Sequence, residues 1–274
     1  MGNPVGHSRS PWIHTRFAEL TGQSLQYVAQ RVPLDGFAAA VSALRDGGGR
    51  GCNVTVPFKF EAAAFAGQGL TPRATLAGAC NTLRFEGDAI LGDNTDGIGL
   101  VQDIVVNAAT ALAGRRVLLI GAGGAAAGVL GPLLQARPAV LTITNRTPGK
   151  ARQLADRHAA LAAVEGVPLH TAGINDPGTG YDVVINGTAS SLGGGDVPVP
   201  ASVLREGALA CDMMYGPAAL GFLNWAASHG AVPRDGLGML VEQAAEAFRI
   251  WRGVRPPSAQ VLAELRERMA REAA

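Results

Sequence analysis

The chain has 274 residues, 47% of them hydrophobic and 16% charged. That is apolar enough to bury a sizeable core and too apolar for a disordered chain, and the length points to roughly two domains. Its 23 Lys and Arg oppose 22 Asp and Glu for a net charge of +1, so no field gathers nucleic acid or an anionic membrane, and a small-molecule partner is the expectation. Cys52, Cys80 and Cys211 are odd in number and show no CxxC spacing, which suits reduced thiols in a cytoplasmic protein better than a disulfide framework or a metal site.

In chain order, Met1-Gly2-Asn3-Pro4-Val5-Gly6 has no apolar signal region. Ser10-Pro11 has the form of an N-cap followed by proline at the first helical position, and Ile13, Phe17 and Leu20 then recur at helical spacing. A second helix is predicted over 37–44, ending at Gly47-Gly48-Gly49, and a strand over 51–56 that Pro57 stops. Segments 79–85 and 89–91 read as a hairpin around Glu86-Gly87-Asp88, residues 92–97 as a polar loop, and 98–106 as a helix. From Arg116 the pattern becomes strand and helix in alternation, with strands over 117–120, 139–144, 181–186 and 209–213, which predicts a parallel, doubly wound sheet. Helices over 239–251 and 258–271 close the chain. The uncharged run 117–134 contains five glycines and Pro132, so it is expected to be a strand, turn and helix rather than a membrane span.

Val117-Leu118-Leu119-Ile120 feeds Gly121-Ala122-Gly123-Gly124-Ala125, a glycine turn opening a helix. Gly121 suits a tight turn, Gly123 lets backbone amides approach a pyrophosphate, and the small residues after it let helix and sheet pack closely, so a dinucleotide is expected here. An NAD site wants an acid about 20 residues on; instead Asn145-Arg146-Thr147 stands there with Lys150 close behind. Two cations and no carboxylate favour the 2′-phosphate of NADP.

The first hundred residues supply the chemistry. Lys59 lies just past a predicted strand end, Asp96 in a glycine-bounded loop, with Ser8, Ser10, Asn53, Thr55 and Asn81 as further polar residues. Reduction of a ketone needs a proton donor at its oxygen, and a lysine held by a carboxylate suits that. On composition alone, a lysine is as readily a solvated surface charge and a loop Asp a turn former.

Several blocks, in order, resemble the shikimate dehydrogenases: Gly2-Asn3-Pro4-Val5-Gly6-His7-Ser8-Arg9-Ser10-Pro11, Asn53-Val54-Thr55-Val56-Pro57-Phe58-Lys59, Gly78-Ala79-Cys80-Asn81-Thr82, Gly92-Asp93-Asn94-Thr95-Asp96-Gly97, the glycine turn, Asn145-Arg146-Thr147 and Asp235-Gly236-Leu237-Gly238-Met239-Leu240. The resemblance implies two α/β domains, a substrate-binding one (1–98 and 238–274) and an NADP-binding Rossmann one (99–237), with ligands expected where they meet. It implies Lys59 and Asp96 as the catalytic pair, and Ser8, Ser10, Asn53, Thr55, Asn81, Tyr215 and Gln243 as substrate contacts. It also implies Thr188, Ser190, Met213, Gly236 and Gly238 beside the cofactor, along with the glycine turn, Asn145, Arg146, Thr147 and Lys150. The implied reaction is NADPH-dependent reduction of 3-dehydroshikimate to shikimate, by a monomer or homodimer without metal. The alternatives are a broader quinate/shikimate dehydrogenase and a non-catalytic dinucleotide sensor. His7 and His14 are expected to be structural.

Four departures stand out. Gly187 and Ala189 alter the family's usual Asn-Ala-Thr-Ser order, Ala126-Ala127 replace a pair often holding Ser or Arg, and Lys150 stands where Arg is common. The family also carries a strand directly before Gly-Asn-Pro, where this sequence has Met1; the expectation is an internal start or a first domain short of a strand.

Overall fold

The computed structural model describes residues 1–188 and 197–273. The chain forms two compact units, one of Met1–Gly99 with Leu240–Ala274 and one of Leu100–Met239.

In the first unit, helices α1 (Ser10–Thr21), α2 (Phe37–Asp46), α3 (Lys59–Ala66) and α4 (Pro72–Ala77) accompany an antiparallel sheet of β1 (Gly51–Asn53), β2 (Thr82–Glu86) and β3 (Ala89–Asp93), in the order β1-β2-β3. Its core gathers Val32, Phe37, Val41, Val54, Phe58, Cys80, Leu83 and Phe85. Only the first half of the predicted strand over 51–56 pairs in the sheet. Beyond it the Val54 amide donates to Asn81 O and the Thr55 amide to Met1 O, so the backbone leaves β2 for other partners. Segment 1–3 lies between two stretches, with Val32 N donating to Gly2 O and Asn3 N to Val56 O. Gly51 has to be glycine, because a Cβ there would meet Leu83 O at 2.3 Å and Trp251 Nε1 at 2.6 Å.

The structure corrects two boundaries. The N-cap of α1 is Arg9, not Ser10, with Pro11 still in the first turn, where its missing amide costs nothing. Helix α5 (Asp96–Gln102) starts inside the predicted loop, because Asn94 Oδ1 accepts the Asp96 amide at 3.1 Å and sets the first turn. The helix then widens into a π-turn over Asp103–Asn107.

The second unit holds a six-stranded, wholly parallel sheet. Its strands are β4 (Arg116–Ile120), β5 (Val140–Thr144), β6 (Leu169–Ala172), β7 (Tyr181–Asn186), β8 (Leu204–Asp212) and β9 (Val232–Arg234), in the order β6-β5-β4-β7-β8-β9. Helices α6 (Gly124–Gln135), α7 (Pro148–Glu165) and α8 (Leu220–Ser228) cover it. Val117 and Leu119 face a core with Val129, Leu130 and Leu154, while Leu118 and Ile120 face Phe222 and Ala226. Both faces are buried, which is why these strands read as continuous apolar runs. Strands β6 and β9 are additions to those predicted from sequence. Helices α9 (Leu237–Arg252) and α10 (Ser258–Ala273) end the chain. Among the described residues no helix is long and apolar enough to cross a membrane.

Candidate active site and dinucleotide turn

In the first unit, Lys59 opens α3 and Asp96 opens α5. The Cys80 amide donates to Lys59 O at 2.8 Å and so ties the start of α3 to the segment before Asn81. Lys59 Nζ donates to Asp96 Oδ2 at 2.5 Å, with side-chain exposures of 15% and 7%. This is a partly dry pair rather than a screened surface bridge, whose geometry would be loose and worth little. Asp96 Oδ1 accepts Asn81 Nδ2 at 2.9 Å.

Asn81 is the hub. Its Nδ2 also reaches Thr95 Oγ1 at 3.0 Å and Gln243 Oε1 at 3.4 Å, and its Oδ1 accepts the Thr95 amide at 2.9 Å and the Thr82 hydroxyl at 2.8 Å. Gln243 comes from α9, its Nε2 donating to Leu240 O at 2.8 Å. Asn53 Nδ2 donates to Thr82 Oγ1 at 3.0 Å, and Asn53 Oδ1 accepts the Tyr27 hydroxyl at 2.8 Å with the Ser10 hydroxyl beside that phenol. Lys59, Asp96, Asn81, Gln243, Asn53 and Ser10 thus fall in one polar chain. Ser8 Oγ accepts the Ser10 amide at 3.3 Å. Thr55 is exposed, and a Cβ on Gly2 would press on its methyl.

Tyr27 was missed from sequence, since it lies in a segment without regular structure. The His14 ring stacks on it at 4.3 Å and 7°. Burial raises the Tyr27 phenol above its ordinary value and lowers His14 to about 3. The phenol therefore stays a hydrogen-bond donor and the imidazole stays neutral.

In the second unit, the chain order of the parallel sheet reverses between β4 and β7, the switch point at whose carboxyl end such sheets bind ligands. The glycine turn lies there. Gly121 adopts φ +115°, and a Cβ on it would come within 3.0 Å of Gly187 O. Gly123 is the N-cap of α6 and, lacking a side chain, places no cap on the helix's first amides; among the described residues nothing lies within 4 Å of where its Cβ would stand. Ala122, Gly124 and Ala125 are only partly buried. Free amides at a helix start, approachable from solvent, suit a pyrophosphate.

Beside the turn, the Gly187 amide donates to Ile120 O at 2.8 Å and Thr188 Oγ1 donates to Asn186 Oδ1 at 2.7 Å. Met213 follows β8, and its sulfur would be 3.1 Å from a Gly187 Cβ. A Cβ on Gly236 would meet Met213 O at 2.4 Å, and one on Gly238 would collide with the Asp103 carboxylate. Asn145, Arg146 and Thr147 lie between β5 and α7, and Lys150 lies in the first turn of α7. Arg146 and Lys150 are exposed and, among the described residues, have no ion-pair partner. Tyr215 is half-buried in the loop after β8, in the second unit. Ser190 and Ala189 lie outside the described residues.

Three family models match the chain: a shikimate dehydrogenase substrate binding domain at residues 1–83, a shikimate/quinate 5-dehydrogenase domain at 103–192 and a shikimate 5′-dehydrogenase C-terminal domain at 236–266. A shikimate dehydrogenase (NADP(+)) of Paracidovorax citrulli is 64% identical over 98% of this chain and 96% of its own. The chain belongs to the shikimate dehydrogenase family. Among solved structures, an Ael1 enzyme from Pseudomonas putida is similar with TM-score 0.88 and 44% identity, covering 96% of both chains. The shikimate 5-dehydrogenase of Thermus thermophilus, solved in complex with NADP(H) and shikimate, is similar with TM-score 0.84 and 30% identity, covering 97% of both.

Proposed function

We propose that this chain is an NADP-dependent shikimate dehydrogenase that reversibly reduces the ketone of 3-dehydroshikimate to the alcohol of shikimate. The observation that carries this is the 2.5 Å pair of Lys59 and Asp96 inside a network of amide and hydroxyl groups. A relative as similar as the Paracidovorax citrulli enzyme supports the substrate and the cofactor.

NADP fits the second unit. The amides of Gly121–Ala125 would receive the pyrophosphate, Arg146 and Lys150 the 2′-phosphate, and Asn145 and Thr147 the adenosine ribose. Thr188, Met213, Gly236 and Gly238 would border the nicotinamide, with Ser190 assigned there by resemblance. Bound NADPH supplies the hydride to the substrate carbon.

The chain's own residues do the rest. As the ketone oxygen gains charge, the Lys59 ammonium donates a proton to it and becomes a neutral amine; in shikimate oxidation the amine takes the hydroxyl proton back. Asp96 holds Lys59 Nζ in line and balances its charge, and the Asn81 amide fixes Asp96 in turn. Asn81, Asn53, Thr55 and Gln243 would bind ring hydroxyls, while Ser8 and Ser10 would receive the carboxylate.

The test is Lys59→Ala. It should lower kcat for shikimate oxidation by about 10²–10⁴ and leave the Kd for NADP unchanged. A folded variant that turns over at the parent rate would defeat the assignment.

A further inference from the structure

We propose that Arg73 is a positioning residue for this reaction, holding the loop that carries Asp96 and the helix that carries Gln243 in fixed relation to Asn81. It lies on α4, in a six-residue helix, and nothing in its sequence surroundings marks it as functional. The inference rests on the roles proposed above for Lys59, Asp96 and Gln243.

The guanidinium grips two elements at once. Its Nε donates to Asp93 Oδ1 and one terminal nitrogen to Asp93 Oδ2, both at 2.6 Å, and that same nitrogen reaches Glu246 Oε1 at 3.2 Å. The two carboxylates are nearly dry, at 11% and 5% exposure. A buried carboxylate without its cation is strongly unfavourable, and among the described residues Arg73 is the ion-pair partner of Asp93, whereas Glu246 also meets Arg249 and Arg255; the fork therefore holds Asp93 firmly and links it to α9.

What the fork holds is the scaffold of the catalytic pair. The Asp93 carbonyl accepts the Asn81 amide at 3.0 Å, and Asp93 Oδ1 accepts the Asn94 amide at 2.7 Å. Asn94 Oδ1 in turn accepts the Asp96 amide, and Asn94 Nδ2 donates to Ala79 O at 2.9 Å. Any shift of Asp93 therefore reaches both Asn81 and Asp96. Glu246 is three residues, about one turn, beyond Gln243 on α9. Gln243 Oε1 is shared between Asn81 Nδ2 and the Thr95 hydroxyl at 3.4 and 3.3 Å. Arg249 also grips Glu246, at 2.8 and 2.9 Å, but it belongs to α9 itself, and toward Asp93 it contributes a charge interaction, with no hydrogen bond among the described residues. Arg73 touches neither Lys59 nor Asp96. It acts through the amide that Asp96 and Gln243 share.

The experiment uses the full chain with shikimate and NADP, measuring kcat, both KM values and Tm for Arg73→Ala, Gln243→Ala, their double variant and Glu246→Gln. Positioning predicts that Arg73→Ala lowers kcat/KM for shikimate about ten- to a hundredfold, the scale of a displacement near an ångström, with the KM for NADP unchanged. On the Gln243→Ala background the same change should cost less than it does in the parent, because the leg through α9 then has no side chain left to position while the leg through Asp93 still acts. Glu246→Gln leaves the grip on Asp93 and loosens the α9 leg together with the pairs to Arg249 and Arg255, so it should raise the KM for shikimate more than it lowers kcat; this variant decides the matter if Arg73→Ala does not fold. Multiplying losses for Arg73 and Gln243, or a lowered Tm with shikimate kinetics unmoved, would overturn the positioning role. An inactive parent protein would instead overturn the proposed function.

Discussion

Asp96→Asn probes how the catalytic lysine is held. The carboxylate accepts from two donors, Lys59 Nζ on Oδ2 at 2.5 Å and Asn81 Nδ2 on Oδ1 at 2.9 Å. An asparagine amide has one oxygen, so its NH2 must face one of those donors. Asn81 Nδ2 has other acceptors in Thr95 Oγ1 and Gln243 Oε1, so the amide oxygen goes to Lys59 and the NH2 turns toward Asn81. The lysine then keeps a hydrogen bond but loses its counter-charge in a site with little water. Charge-assisted bonds of this kind are worth about 1.5–3 kcal/mol, or roughly ten- to a hundredfold in rate at about 1.4 kcal/mol per decade. Asp96→Ala, which leaves Lys59 no acceptor at that position, should fall further. The assay is the initial rate of shikimate oxidation at the absorbance band of reduced nicotinamide, with kcat and each KM resolved. A kcat for Asp96→Asn close to the parent's, or equal to that of Asp96→Ala, would refute the reasoning.

Three other outcomes follow from the same geometry. The Lys59→Ala, Asp96→Asn double variant should fall little below the worse single one, since the two act as a unit; multiplied losses would separate them. Arg146→Ala should raise the KM for NADP about ten- to a hundredfold by loss of a charge-assisted contact to the 2′-phosphate, while the KM for NAD stays put; equal losses with both cofactors would reject that contact. His14 is fully buried and lowered from 6.5 to about 3. The unfolded chain therefore takes up a proton first as pH falls. Its contribution to stability is complete above pH 6.5 and is lost toward pH 3, at about 1.4 kcal/mol per pH unit. Urea unfolding of His14→Phe from about pH 7 to about pH 4 should show a shallower decline than the parent, and parallel curves would count against the buried neutral imidazole.

The glycine turn was legible because a strand, a turn and a helix start each leave a local mark, and Val117–Ile120 is buried on both faces. β6 and β9 were not, for a physical reason. Leu169-His170-Thr171-Ala172 and Val232-Pro233-Arg234 lie at the two edges of the sheet and are mostly solvated, so they carry neither an apolar run nor clean alternation. The start of α5 was read as loop because its signal is one side chain, Asn94, capping two residues on. Of the site, Lys59, Asp96 and Asn81 stood out by residue type and resemblance. Tyr27 and Arg73 did not, because their partners Asn53, Asp93 and Glu246 lie 26, 20 and 173 residues away, and no local pattern reports such pairings.

The central claim is that this chain moves a hydride between shikimate and NADP with Lys59 handling the proton. Purified protein mixed with shikimate and NADP at mildly alkaline pH should produce the reduced-nicotinamide band. Adding 3-dehydroshikimate should reverse it, and NAD in place of NADP should slow it. No reduced nicotinamide from shikimate and NADP, by folded protein that binds both, would contradict the account.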